Sequence, residues 1–102
     1  MIFGYVQAVA NADPSSARRR VHADIQQAEY FLELLGDEYA ELSERLTHHR
    51  TELVTYEHVG DLPGIRRKER VIRQLEKDLF DVEQMVRALW KTVAPNEEPP
   101  SF

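Results

Sequence analysis

The chain of 102 residues contains no cysteine. A disulfide framework and a cysteine-based metal site are therefore excluded, and nothing in the composition requires an oxidising compartment. The apolar start, residues 1–10, is too short to span a bilayer and lacks the positively charged leader of a secretory signal. We therefore expect a cytoplasmic protein that makes no contact with a membrane.

Proline and glycine, which interrupt helices, are scarce in the first half of the chain. After Pro14 no proline occurs before His58, and Gly36 is the one glycine in that span. Asp13 followed by Pro14 is a helix start, because aspartate accepts the orphan amide hydrogens and proline has none to lose. The pattern predicts one long helix that continues through Gly36.

Helix breakers reappear together from Gly60 to Gly64. Gly60 suits the left-handed position after a helix, Asp61 can cap the next helix, and Pro63 fits in its first turn. Three prolines after residue 94 end that second helix. The predicted organisation is an apolar arm or short helix over 1–12, a helix over 13–59, a turn over 60–64, a helix over 65–94 and a disordered tail over 95–102.

Both long segments carry an apolar seam whose positions step alternately by four and three residues. Such a repeat keeps one apolar stripe facing a partner helix and supercoils the pair left-handedly. It predicts an all-α fold, a two-helix antiparallel coiled-coil hairpin. The seam positions are Val21, Ile25, Ala28, Leu32, Leu35, Tyr39, Leu42, Leu46, His49, Leu53 and Tyr56, then Ile65, Lys68, Ile72, Leu75, Leu79, Val82, Val86, Leu89 and Val93.

The first helix is longer than the second and leaves part of its seam without a partner. Folding the chain about the turn places Ala28 opposite Pro95, so residues 14–27 overhang. Val21 and Ile25 continue the seam there, and apolar surface left in water costs about 25 cal/mol per Å². Residues 1–10, a second copy of the chain or another protein must cover this overhang.

Several large apolar side chains lie off both seams. A two-helix hairpin buries one stripe per helix, so it leaves these side chains exposed, and large exposed apolar patches mark interaction surfaces. We therefore expect a homodimer that forms a four-helix bundle. The off-seam residues are Tyr30, Phe31, Leu34, Phe80, Met85 and Trp90, and all but Phe80 fall near the open end.

Charge is sorted along the chain, with a net charge of −5. Residues 24–44 hold seven acids and no base, whereas residues 45–77 hold eight bases and five acids. One interpretation is a solvated surface, because surface charge is commonly uneven. The other is partner selection, because an antiparallel dimer sets the basic tip of one hairpin against the acidic middle of the other.

The arginines of the tip suggest an alternative function. Arg66, Arg67, Arg70 and Arg73 share a broad outward face that could contact phosphates. The acids in the same region and the absence of exposed aromatics suited to stacking argue against nucleic acid.

The hairpin also superficially resembles the small helical substrates of type VII secretion, which carry Trp-x-Gly at the turn. This turn instead reads His58, Val59, Gly60.

The sequence contains no arrangement typical of catalysis, of a cofactor or of a metal site. The Glu-x-x-His motif of di-metal bundles is absent, and His48 with Glu52 is a weak candidate for a surface ion. On the seam, His49 could set the register, and we expect Lys68 to extend its ammonium into solvent. We predict a non-enzymatic interaction or assembly module that needs no cofactor and binds a protein partner that the sequence does not identify. The alternative functions are a nucleic-acid-associated hairpin and a small secreted export substrate.

Overall fold

The computed structural model describes residues 14–100, with side chains from Ala17 onward. Within that range the chain forms two helices, α1 (Pro14–Val59) and α2 (Leu62–Val93), and no strand. The helices run antiparallel and pack along their length. This confirms the all-α hairpin. The predicted arm over 1–12 and the Asp13 cap lie outside the described residues.

α1 is one helix of 46 residues, which corresponds to about 69 Å at 1.5 Å per residue. It continues through Gly36 although glycine costs about 1 kcal/mol relative to alanine inside a helix. The seam keeps its phase across Gly36, from Leu35 to Tyr39, and both of these neighbours pack against the core. Packing against α2 therefore outweighs the low helix propensity of this one position.

α1 ends in a Schellman motif, in which two amide groups beyond the helix satisfy its last carbonyls. Gly60 has a positive φ of 81°. The Gly60 amide donates to the Glu57 carbonyl at 3.2 Å, and the Asp61 amide donates to the Tyr56 carbonyl at 3.1 Å. The left-handed conformation at Gly60 reverses the chain within two residues.

α2 begins at Leu62, earlier than the Ile65 that the sequence suggested. The Asp61 side chain caps it by accepting a hydrogen bond from the Gly64 amide at 3.2 Å, and Pro63 lies in the first turn. Proline has no amide to satisfy there, so the helix can start directly after its cap. The connection consequently shrinks to Gly60 and Asp61.

The core is the predicted seam. Seven side chains form one buried cluster, and half-buried Leu32, Leu35, Tyr39 and Leu53 pack against it. Every one of these residues is a predicted seam position, which confirms the heptad assignment. The buried cluster consists of Leu42, Leu46, Ile72, Leu75, Leu79, Val82 and Val86.

Near the open end of the hairpin, Ala28 lies in a depression with Leu89 and Thr92 of α2. α1 still extends beyond α2. There Val21 is exposed and lines a depression to which, within the described residues, α1 alone contributes.

Candidate interaction surfaces

The side contacts between the helices define two flanks of the hairpin. Glu52 pairs with Lys68 on one flank, and Arg50 pairs with Glu76 on the other. A helical residue keeps its flank when it is moved by whole heptads, because the coiled-coil repeat is seven residues. This rule assigns those off-seam side chains that share a heptad position with one of these contacts to one flank or the other.

Phe31 and Met85 belong to the flank of Glu52. Phe31 precedes Glu52 by three heptads and shares a depression with Thr92, which follows Met85 by one heptad. Leu34 lies one turn further along α1. Phe31 is 43% exposed, Leu34 45% and Met85 53%, although all three are large and apolar. We call the surface formed by Phe31, Leu34 and Met85 the Phe31 flank.

Of the two further apolar candidates, Tyr30 borders this surface and Trp90 lies away from it. Tyr30 is exposed beside Phe31, and the two rings meet edge to face with centroids 5.8 Å apart. Trp90 follows Glu76 by two heptads and therefore lies on the other flank. It is half-buried in a depression with Ala88 and Pro95, and its indole Nε1 is buried without a hydrogen-bond partner among residues 14–100. The structure thus separates Trp90 from Phe31.

The tip arginines of α2 are exposed and unpaired. Arg66, Arg67 and Arg70 make no ion pair with any carboxylate in the part of the chain that the structure describes. Arg73 donates from Nε to the Glu69 carbonyl at 3.4 Å, and its side chain likewise has no carboxylate partner there. These guanidinium groups are therefore available to an external anion.

A polar network closes the seam near the turn. The Lys68 ammonium contacts the Glu52 carboxylate and lies 3.0 Å from His49 Nδ1. The other Glu52 oxygen lies 2.5 Å from His48 Nε2. The Lys68 side chain is only 16% exposed, so the expectation that its ammonium extends into solvent is wrong. An ammonium group can only donate a hydrogen bond, so Nδ1 of His49 is the acceptor in this contact.

The sequence analysis did not identify Glu52 as the partner of Lys68 on the seam. The hydrogen bond from Lys68 lowers the pKa of the Glu52 carboxyl, and partial burial opposes that shift without cancelling it. The charges of Lys68 and His48 lower it further. Glu52 follows Arg45 by one heptad at the edge of the seam, a position from which glutamate commonly reaches a partner helix.

A second polar contact crosses the seam nearer the open end. The Tyr39 hydroxyl donates to Glu83 Oε1 at 3.1 Å. Burial of the ring raises the pKa of the Tyr39 phenol, and the hydrogen bond to the carboxylate raises it further. The contact ties the two helices together at a half-buried position while the aromatic ring packs against the core.

The described residues, 14–100, contain no cluster of three or more histidine, aspartate or glutamate side chains arranged to hold a metal ion. In the same range neither helix combines the length and the apolar character that a membrane span requires. No protein-family model matches the chain, and comparison with curated proteins and with solved structures also gives no match.

Proposed function

We propose that this protein is an assembly module in which two hairpins associate through the Phe31 flank to form a four-helix bundle. The observation that carries the proposal is the joint exposure of Phe31, Leu34 and Met85 on one flank. Large apolar side chains that lie together on a surface are typical of protein interfaces. Aromatic residues and methionine are the apolar types that interfaces favour.

The same flank carries more apolar side chains toward the turn. Val59 follows Glu52 by one heptad, and Val71 precedes Met85 by two, and both are exposed. A specific interface buries about 800 Å² on each partner, which is more than the three residues of the Phe31 flank supply. Val59, Val71 and the exposed seam of the α1 overhang would add to the buried area.

Sedimentation equilibrium tests the proposal. We expect the native chain to exceed its monomer mass of 11.9 kDa at micromolar concentration. Replacing Phe31 and Met85 by serine should shift the chain to monomer, because a central apolar anchor contributes about 2 kcal/mol or more to an interface. Phe80→Ser is the matched control, since Phe80 is also exposed but lies away from this flank.

Two results would contradict the proposal. The first is a native chain that sediments only as the 11.9 kDa species. The second is an equal loss of association in Phe80→Ser, which would show that general surface hydrophobicity drives it. Circular dichroism of each variant verifies that the hairpin itself remains folded.

A further inference from the structure

The outer face of α2 carries a line of basic side chains that is much longer than the tip. The line alternates by four and three residues, as the seam does, but it lies on the side of the helix turned away from α1. It spans about 37 Å at 1.5 Å per residue. Between 66 and 91 its positions hold no acid, and all are exposed: Arg66, Arg70, Arg73, Lys77, Phe80, Gln84, Arg87 and Lys91.

We call the six cations of this line the basic stripe. None of them forms an ion pair with a carboxylate among the residues that the structure describes. On the α1 side of the helix, Glu76 pairs with Arg50 and Glu83 accepts from Tyr39, whereas Asp78 accepts from Gln74 of α2 itself. The packing of the hairpin thus leaves the stripe with uncompensated positive charge.

Phe80 lies in the middle of the stripe. Its side chain is 58% exposed, and it is placed between Lys77 and Gln84 on the same face. The argument from sequence against nucleic acid combined the acids near the tip with the absence of an exposed aromatic suited to stacking there, and exposed Phe80 supplies such a ring further along the stripe. Cations that follow a backbone, together with an aromatic ring that a base can cover, are the two parts of a single-strand binding surface.

The net negative charge of the chain does not oppose an anion at this face. The acids of α1, such as Glu33, Asp37 and Glu44, occupy the outward positions of the other helix. The outer faces of two packed helices are about 20 Å apart, more than twice the Debye length of about 8 Å at physiological ionic strength. Glu69 and Asp81 at the edges of the stripe reduce its charge but leave it positive.

We propose that the outer face of α2 binds single-stranded nucleic acid, with phosphates along the basic stripe and one base stacked on Phe80. A single strand can follow a straight line of cations, whereas the phosphates of a duplex wind away from it and its bases are already stacked. A membrane surface fits less well, because interfacial helices carry a broad apolar face and this one offers Phe80 alone. The stripe lies off the Phe31 flank, so the inference does not depend on self-association.

Fluorescence anisotropy of the full chain with labelled oligo-dT and oligo-U strands tests whether the basic stripe binds phosphates. We expect binding that weakens with salt, with a slope of log K against log salt approaching about −4 for six phosphates on a single strand. Arg70→Gln and Arg87→Gln should each make that slope shallower by about 0.7. Arg45→Gln, an exposed arginine on α1, is the matched control and should leave the slope unchanged.

Substitutions at Phe80 test the stacking part. Phe80→Leu keeps an apolar side chain but removes the ring, and we expect at least a five-fold loss of affinity for the single strand. The salt slope should stay the same, because no phosphate contact is lost. Phe80→Tyr retains the ring and should bind like the native chain.

Three kinds of result would overturn the proposal. Absent or salt-independent binding, or an equal effect of Arg45→Gln, would remove the stripe as the site. Equal affinity for a labelled duplex, together with no effect of Phe80→Leu, would remove the single-strand assignment. Binding to vesicles containing phosphatidylserine without binding to either oligonucleotide would assign the stripe to a membrane surface. Because the stripe lies on each hairpin by itself, a native chain that sediments only as a monomer would contradict the proposed dimer and leave this test intact.

Discussion

At the scale of single residues, two glycines show what a missing side chain does in opposite surroundings. A Cβ added at Gly36 would meet nothing within 4 Å. A Cβ added at Gly64 would lie 2.6 Å from Tyr56 Cδ1 and 2.7 Å from Asp61 Oδ2, too close for either neighbour. Gly64 is therefore needed for the close approach of the first turn of α2 to the Tyr56 ring, whereas Gly36 fills no such role.

The two alanine variants should consequently change stability in opposite directions. Gly36→Ala should raise the free energy of unfolding by about 0.5–1 kcal/mol, because alanine loses less backbone entropy in a helix. Gly64→Ala should lower it by about 1–3 kcal/mol, because the Tyr56 ring or the Asp61 cap must move. Urea unfolding followed by circular dichroism, at one protein concentration for all chains, measures both. A Gly64→Ala chain as stable as the native one would show that Tyr56 moves aside freely.

The Glu52 carboxylate should make the hairpin sensitive to acid. Lys68 lowers the Glu52 pKa in the folded chain below the ordinary value of 4.5, so the folded state favours the ionised form. The stabilisation is present above that ordinary pKa and is lost as the pH falls through the lowered folded-state pKa.

Melting of the native chain and of Glu52→Gln between about pH 6 and about pH 3 measures this effect. The native melting temperature should fall more steeply with acid, because the variant has no Glu52 proton to gain. Glu57→Gln, which changes an exposed glutamate on the same helix, should keep the native pH profile. Identical profiles for all three chains would mean that the contact between Glu52 and Lys68 does not form in solution.

At the scale of the helices, the features that depend on local spacing were predictable. The seam, the left-handed Gly60 and the Asp61 cap each follow from residue types within one or two turns, and the structure contains all three. The partner of Lys68 was not predictable in the same way. It depends on which side chains of α1 lie beside Lys68 in the packed hairpin, and the spacing of residues within one helix does not determine that.

The rotation of each helix about its own axis was also hard to predict from the sequence, and it determines which side chains share the candidate surface. Trp90 and Phe31 are both expected near the open end of the hairpin, because folding the chain about the turn places them at the same level. The side contacts of Arg50 with Glu76 and of Glu52 with Lys68 show that they lie on different flanks. The sequence thus indicates the height of a side chain along the hairpin more readily than the flank that it occupies.

A charge placed in the seam should abolish the fold. Leu42 is part of the buried cluster, so Leu42→Asp loses apolar packing and leaves an unpaired carboxylate among apolar neighbours. The loss should exceed about 3 kcal/mol, a large fraction of the stability of a small domain. We expect circular dichroism to show reduced helicity and no cooperative melting.

Ala40→Asp introduces the same residue at an exposed position two residues away. It should cost only the helix propensity difference of about 0.7 kcal/mol or less, and the chain should keep its helicity. Full helicity with cooperative melting in Leu42→Asp would contradict the assignment of the seam as the core.

At the scale of the whole molecule, charge makes the hairpin polar along its length. Residues 24–44 hold seven acids and no base, whereas Arg66, Arg67 and Arg70 form the basic tip. In a parallel dimer acid would lie beside acid, and each close pair of like charges costs a few tenths of a kcal/mol. In an antiparallel dimer those contacts become attractive. Over several pairs the difference is roughly 1–3 kcal/mol at low ionic strength and less with added salt.

Reversal of the tip charges should therefore weaken the proposed dimer in a salt-dependent manner. Replacing Arg66, Arg67 and Arg70 by glutamate should weaken association most at low salt and little at high salt. Replacing Lys77, Arg87 and Lys91 by glutamate changes the net charge equally, lies off the Phe31 flank and leaves the tip basic, so it should not weaken association. Sedimentation equilibrium at both ionic strengths compares the variants. A larger loss in the control would show that net charge, rather than its position, controls association.

The distance between the two tips provides the direct measurement of orientation. Leu62 begins α2 beside the turn and is exposed, so a spin label there reports the position of the tip without entering the core. The 32 residues of α2 correspond to about 48 Å. Two hairpins that overlap along that length in antiparallel orientation place the labels more than about 40 Å apart. Parallel stacking brings them within about 25 Å, the width of two packed hairpins, and such a distance would exclude the antiparallel dimer.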